Sequence, residues 1–160
     1  MERSKPKCLT DLASTPITVA QSVPVSEAAQ LMQQHHVGSL VVTGPREEPV
    51  GLVTDRDLAL ATLTRPRGAA APVVNELVST PLLTLPASST IPDATRFLGE
   101  HRIRRVGLTG ASGELVAVLS SDTLLMYVGT QIRRITEAIS REFQEERNPT
   151  GQSSSRFGSE

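Results

Sequence analysis

The 160-residue chain sets 16 Lys and Arg against 17 Asp and Glu, for a formal net charge of −1, and is 38 % hydrophobic. That balance fits one ordinary globular domain, or two small ones sharing a core, and it carries no basic footprint for nucleic acid. Aromatic residues make up 2 % with no Trp, which argues against stacking platforms for single strands, and the single cysteine, Cys8, excludes an internal disulfide framework.

The N-terminus, Met1 to Lys7, is basic but is followed by no signal-peptide core, and no apolar run approaches the ~18 residues of a membrane span, so a cytoplasmic location is expected. Residues 1–10 read as an arm that joins the first unit near Leu12. Ile17 to Val19 is a short β-branched strand, and Val25, Ala28, Leu31 and Met32 recur at helical spacing. Ser39 to Thr43 forms the next strand, Gly44 to Pro49 a turn, and Val50 to Val53 a third strand antiparallel to the second. A helix from about Asp55 to Thr62 closes a β–α–β–β–α unit.

Thr64 to Pro72 has the composition of a linker, and Val73 to Val78 is a short helix or strand. The order then repeats: a strand at Leu83 to Leu85, a helix to His101, strands at Arg105 to Thr109 and Leu115 to Leu119, and a helix from about Asp122. Thr90, with Asp93 three residues on, marks the start of the second unit's first helix. The last helix continues past its counterpart in the first unit. Ile132, Ile135, Ile139 and Phe143 form an apolar stripe that must be covered by this chain or by another one. Beyond about Glu146, Asn-Pro, Gly and a Ser run read as a disordered tail.

The chemistry concentrates at Gly51-Leu52-Val53-Thr54-Asp55-Arg56-Asp57-Leu58. Thr54 and Asp57 place a hydroxyl and a carboxylate at a helix N-terminus, whose free N–H groups suit a polar or anionic ligand. The same two residues also satisfy a helix cap. The unit occurs twice: shifted by 66, residues 17–58 lie on 83–124 without a gap. Thr18 falls on Thr84, His35 on His101, Thr43-Gly44 on Thr109-Gly110, and Val37 on Ile103. Two copies of this length point to two similar units packed together.

His36-Val37-Gly38-Ser39-Leu40-Val41-Val42, the Gly51 to Leu58 motif and His101-Arg102-Ile103-Arg104-Arg105-Val106 together resemble a tandem pair of cystathionine-β-synthase (CBS) domains, a Bateman module, over about residues 10–128. The resemblance implies an α+β fold of two β–α–β–β–α units packed sheet to sheet with pseudo-twofold symmetry, here with an extra C-terminal amphipathic helix. It divides the chain into residues 10–65, 75–128, a helix at 129–146 and a disordered tail at 147–160, a stand-alone module. It also implies a regulatory role. An adenine nucleotide such as AMP, ADP or ATP binds a cleft between the units, modules associate as homodimers, and an effector protein of unspecified identity receives the signal.

Carried over residue by residue, Thr54 and Asp57 match the family's Thr/Ser-x-x-Asp, whose carboxylate holds ribose hydroxyls. Arg104 and Arg105 match a basic pair that meets phosphate, and Thr18 and Val37 match positions flanking the adenine. Guanidinium groups suit phosphate, and a carboxylate suits vicinal hydroxyls. The second copy departs from the pattern, with Ser120 at the Thr position, Thr123 in place of the Asp, and Asp122 one place too early. Each cleft in the family takes its carboxylate from one unit and its cations from the other, so one cleft keeps both and the other has neither.

Strand alternation predicts that at most one of Arg104 and Arg105 faces the cleft. His35, His36 and His101 fit no metal-ligand spacing and read as helix-end residues near C-terminal carbonyls. No nucleophile–base–orienter set is visible, so no enzymatic activity, metal or catalytic residue is expected. The rival reading is a ligand-free structural or interaction module that dimerises through its CBS faces.

Overall fold

The computed structural model describes residues 8–78 and 81–147. Ser79-Thr80, part of the second unit's opening turn, and the expected tail from residue 148 lie outside the described residues.

In the first unit, β1 (Thr18–Ala20) pairs parallel with β2 (Ser39–Thr43), which pairs antiparallel with β3 (Pro49–Thr54). Helices α2 (Val25–His35) and α3 (Asp55–Leu63) cover this sheet, preceded in the chain by the short helix α1 (Leu9–Leu12). The second unit repeats the arrangement with β4 (Thr84–Pro86), α4 (Ile91–His101), β5 (Arg105–Thr109), β6 (Leu115–Ser120) and α5 (Ser121–Arg147). Registers repeat with the sequence: Thr18 opposes Val41 as Thr84 opposes Gly107, and Ser39 opposes Thr54 as Arg105 opposes Ser120.

The local chemistry explains the helix ends. Thr90 accepts a hydrogen bond from the Asp93 N–H, and Asp93 accepts from the Thr90 N–H, a reciprocal capping box. Both α2 and α4 stop at a residue in the left-handed region, His36 at φ 52° and Arg102 at φ 54°. Each releases its N–H to the helix's last carbonyls, which ends the ladder and turns the chain into β2 or β5.

Each unit has its own core. Val19, Val25, Ala28, Met32, Leu40, Val42, Val53 and Leu58 are buried in the first, and Ala94, Leu98, Val106, Leu108, Leu119 and Leu124 in the second. The segments between units are exchanged. Leu9, 1 % exposed, belongs to the second unit's core, and Ser14 exchanges backbone hydrogen bonds of 3.0 and 2.9 Å with Val118 of β6. The arm therefore docks on the second unit and not on the first, because its single apolar turn is needed to cover that sheet. Conversely, a 3₁₀ turn at Val74–Glu76 buries Val74 in the first unit's core. The Val74 N–H donates to the Val23 carbonyl at 2.9 Å. Each small unit thus lends the other a cap that adds to the limited surface a domain of this size can bury.

Candidate functional site

At the β3–α3 junction Thr54 is the N-cap, with extended backbone at φ −116°, ψ 163°. Its N–H and its hydroxyl both donate to Asp57 Oδ2, at 2.8 and 2.6 Å, and the Asp57 N–H donates back to Thr54 Oγ1 at 3.4 Å. The cap and the ligand-type motif are thus the same hydrogen bonds. One carboxylate oxygen closes the helix start, and both residues stay half-buried. The counterpart in the second unit is weaker: Ser120 Oγ and Thr123 Oγ1 lie 2.9 Å apart and no carboxylate takes part.

Thr54 opens onto a cleft of about 640 Å³ between the units. The first unit contributes Leu52, Thr54, Asp55 and Arg56; the second contributes an apolar wall of Leu82, Leu83 and Ile103, together with His101, Arg104 and Arg105. The hydroxyl residue Thr54, one carboxylate residue, Asp55, and three arginines therefore border the cleft from two units, while Asp57 is not among its lining residues. The His101 ring stacks on Phe97 at 4.1 Å between centroids, and its Nδ1 lies 2.9 Å from the Phe97 carbonyl oxygen. Since a carbonyl only accepts, Nδ1 carries the hydrogen, and the ring is fixed at the helix end where its sequence position placed it.

Both arginines line this cleft, contrary to the expectation from strand alternation. Arg104 precedes β5 and follows the left-handed Arg102, so it is outside the pleat. Arg104 is exposed and donates to Asp122 on α5 at 3.1 and 3.2 Å, while Arg105 is half-buried.

A second, smaller cleft of about 170 Å³ lies on the other side of Arg105 and Leu52, which line both. It is bordered by Val37, Gly38, Ser39, Val41 and Ser120 and has no carboxylate in its lining. Val37 is thereby separated from Thr54, and Thr18 lines neither cleft, being exposed on β1. The repeat explains the separation. The units face each other, so each one's strand openings border the cleft that holds the other's Thr/Ser junction. Ile103, the shifted counterpart of Val37, stands in the larger cleft. Applying the exchange rule to the apolar positions as well as to the cations would have found Leu82, Leu83 and Ile103 from the sequence. Asp55, Arg56 and His101 carried no such signal.

Among the described residues no group of three or more His, Cys, Asp or Glu is placed to hold a metal ion. No helix among them is long and apolar enough to cross a membrane.

Paired α+β units with a cleft between them define a tandem two-unit module. The CBS domain family matches residues 9–63 and 74–130, and the chain belongs to that family. The CBS domain-containing protein YhcV of Bacillus subtilis is 38 % identical over 91 residues, covering 56 % of this chain and 62 % of that protein. An uncharacterized protein of Methanopyrus kandleri is 25 % identical over 130 residues, 81 % of this chain and 66 % of its own length. The chain thus spans a little under two thirds of these relatives. The solved structure of CBSX2 in complex with AMP superposes with a TM-score of 0.63 at 25 % identity, covering 79 % of this chain and 98 % of that one.

Proposed function

We propose that the chain is a regulatory CBS pair that binds one adenine nucleotide, of the AMP, ADP or ATP type, in the larger cleft and signals its occupancy to an effector protein. The observation that carries this reading is that Thr54, the hydrogen-bond partner of Asp57, lines the same cleft of about 640 Å³ as Arg104 and Arg105 of the other unit. The ribose hydroxyls are assigned to the Asp57 carboxylate, phosphate to the arginines, and the base to the wall of Leu82, Leu83 and Ile103 in place of Thr18 and Val37. The AMP bound by CBSX2 supports the ligand class. No catalytic step is assigned to any residue. A homodimer is part of the proposal, formed over the apolar groove of about 680 Å³ between α2 and α3, where Met32, Leu58 and Leu63 lie.

The smaller cleft, without a carboxylate and with about 170 Å³, is assigned no nucleotide. Isothermal titration with AMP, ADP, ATP, NAD and S-adenosylmethionine tests the reading, with one site per chain expected for an adenine nucleotide. Two comparable sites would contradict the assignment of the clefts. No binding by any of the five would favour the rival, a ligand-free interaction module.

A further inference from the structure

Helix α5 is 27 residues long, and its first turns pack on the body through Leu124, which is buried in the second unit's core. The remainder leaves large apolar side chains in water. Leu125, Val128, Ile132, Ile135, Ile139 and Phe143 are between 43 % and 73 % exposed. Their separations are three, four, three, four and four residues, which keeps all six on one face. The first five occupy the a and d places of a 3.5-residue repeat. From Leu125 to Phe143 the seam runs about 27 Å along the helix.

A seam of this period is buried well only by another helix of the same period. Among the described residues α2 and α4 have 11 residues each and α3 has 9, and all three bury residues in their own unit's core. No other helix among the described residues offers the matching seam, and another molecule can supply it. Charges at the places flanking such a seam normally specify which foreign helix may dock. Here those places hold Gly129, Gln131, Thr136 and Ala138, all uncharged and mostly small. Arg133, Arg134, Glu137 and Arg141 lie on the opposite face, where Arg133 and Glu137 approach to 3.9 Å within the helix itself. An identical seam meets no like charges at these four places, with Glu142 at the next d place beside Phe143 as the one charge in register, and it has the required spacing by construction.

We infer that α5 is a self-association element: the α5 helices of two copies of this chain pack along the Leu125 to Phe143 seam. This contact is separate from the α2–α3 groove, and two such twofold contacts on one chain allow an assembly larger than a dimer. It does not depend on the nucleotide reading.

Sedimentation equilibrium of the full chain over a micromolar range tests the inference. Ile132→Glu combined with Ile139→Glu brings four carboxylates into each paired seam and is expected to weaken self-association by about 100-fold or more, lowering the observed mass. Arg134→Ser combined with Glu137→Ser, on the outer face, is expected to leave the mass unchanged. Circular dichroism of both variants should match the parent, since the altered residues are exposed. A parent chain that is monomeric throughout, a seam variant with the parent's mass, or an equal loss in the outer-face variant overturns the inference. Nucleotide titration of the seam variant separates the two readings, because binding is expected to persist while the mass falls.

Discussion

The Arg104 guanidinium lies 3.1 and 3.2 Å from the two carboxylate oxygens of Asp122, joining the wall of the larger cleft to the first turn of α5. Both side chains are more than half exposed, so the pair contributes roughly 0.2–1 kcal/mol to stability. Asp122 would also compete with the phosphate of the proposed nucleotide for the same guanidinium. Asp122→Asn is therefore expected to leave the melting temperature nearly unchanged and to tighten nucleotide binding by up to about fivefold. Calorimetric titration of the variant beside the parent measures this, and weaker binding would show that Asp122 orients Arg104 for the ligand.

Asp57 closes the helix start and is the residue assigned to the proposed ribose contact, and two substitutions separate these roles. Asp57→Ala removes the acceptor for the Thr54 N–H and hydroxyl and is expected to cost ~1 kcal/mol of stability. It is expected to weaken nucleotide binding by roughly 10- to 100-fold, the loss of one charged hydrogen bond. Asp57→Asn keeps an oxygen for the cap, so the melting temperature should largely recover while binding stays weak. Unchanged affinity in both variants would remove Asp57 from the ribose assignment.

Gly107 stands where the first unit has Val41, a residue that borders the smaller cleft. A Cβ at Gly107 would meet Leu115 Cδ1 at 2.7 Å and Leu82 Cδ2 at 3.2 Å. Gly107→Val is expected to destabilise by about 1–3 kcal/mol through overpacking. It should also push Leu82 into the larger cleft and lower nucleotide affinity by about tenfold. A thermal melt and a titration of the same preparation measure the two effects.

Acid sensitivity has identifiable sources outside the cleft. The hydrogen bonds from the Thr90 hydroxyl and N–H hold the Asp93 carboxyl below its ordinary value of 3.8. The Val73 N–H, and then Arg65, do the same for Glu76 against its ordinary 4.5. A carboxyl depressed in the folded state stabilises fully above its unfolded value, and that stabilisation is lost as pH falls through the folded value. Stability is thus expected to decline below about pH 4.5, and more gently in Asp93→Asn, when unfolding is followed across the acid range. An unaltered slope in Asp93→Asn would assign the decline to other carboxyls.

Much of this was legible in the residues. The 66-residue shift predicted two units of the same order, and the registers of Thr18 with Val41 and Thr84 with Gly107 repeat accordingly. Thr54, Thr90 and their partners three residues on marked helix starts, because capping is settled within four residues of chain. The continuous 3.6-residue periodicity likewise predicted that the last helix runs on past its counterpart.

What local pattern could not decide was which surfaces meet. Leu9 reads as part of an arm, residues 1–10, that joins the first unit, yet it fills the second unit's core. Val37 and Ile103 hold the same place in the repeat but border different clefts, since the facing of the units assigns each to its neighbour's junction. Arg104 and Arg105 share one cleft although they are adjacent in sequence, because the left-handed turn at Arg102 lets the first escape the pleat. Periodicity encodes which face of an element is apolar. The packing of one unit against the other, a long-range balance of burial, decides what that face touches.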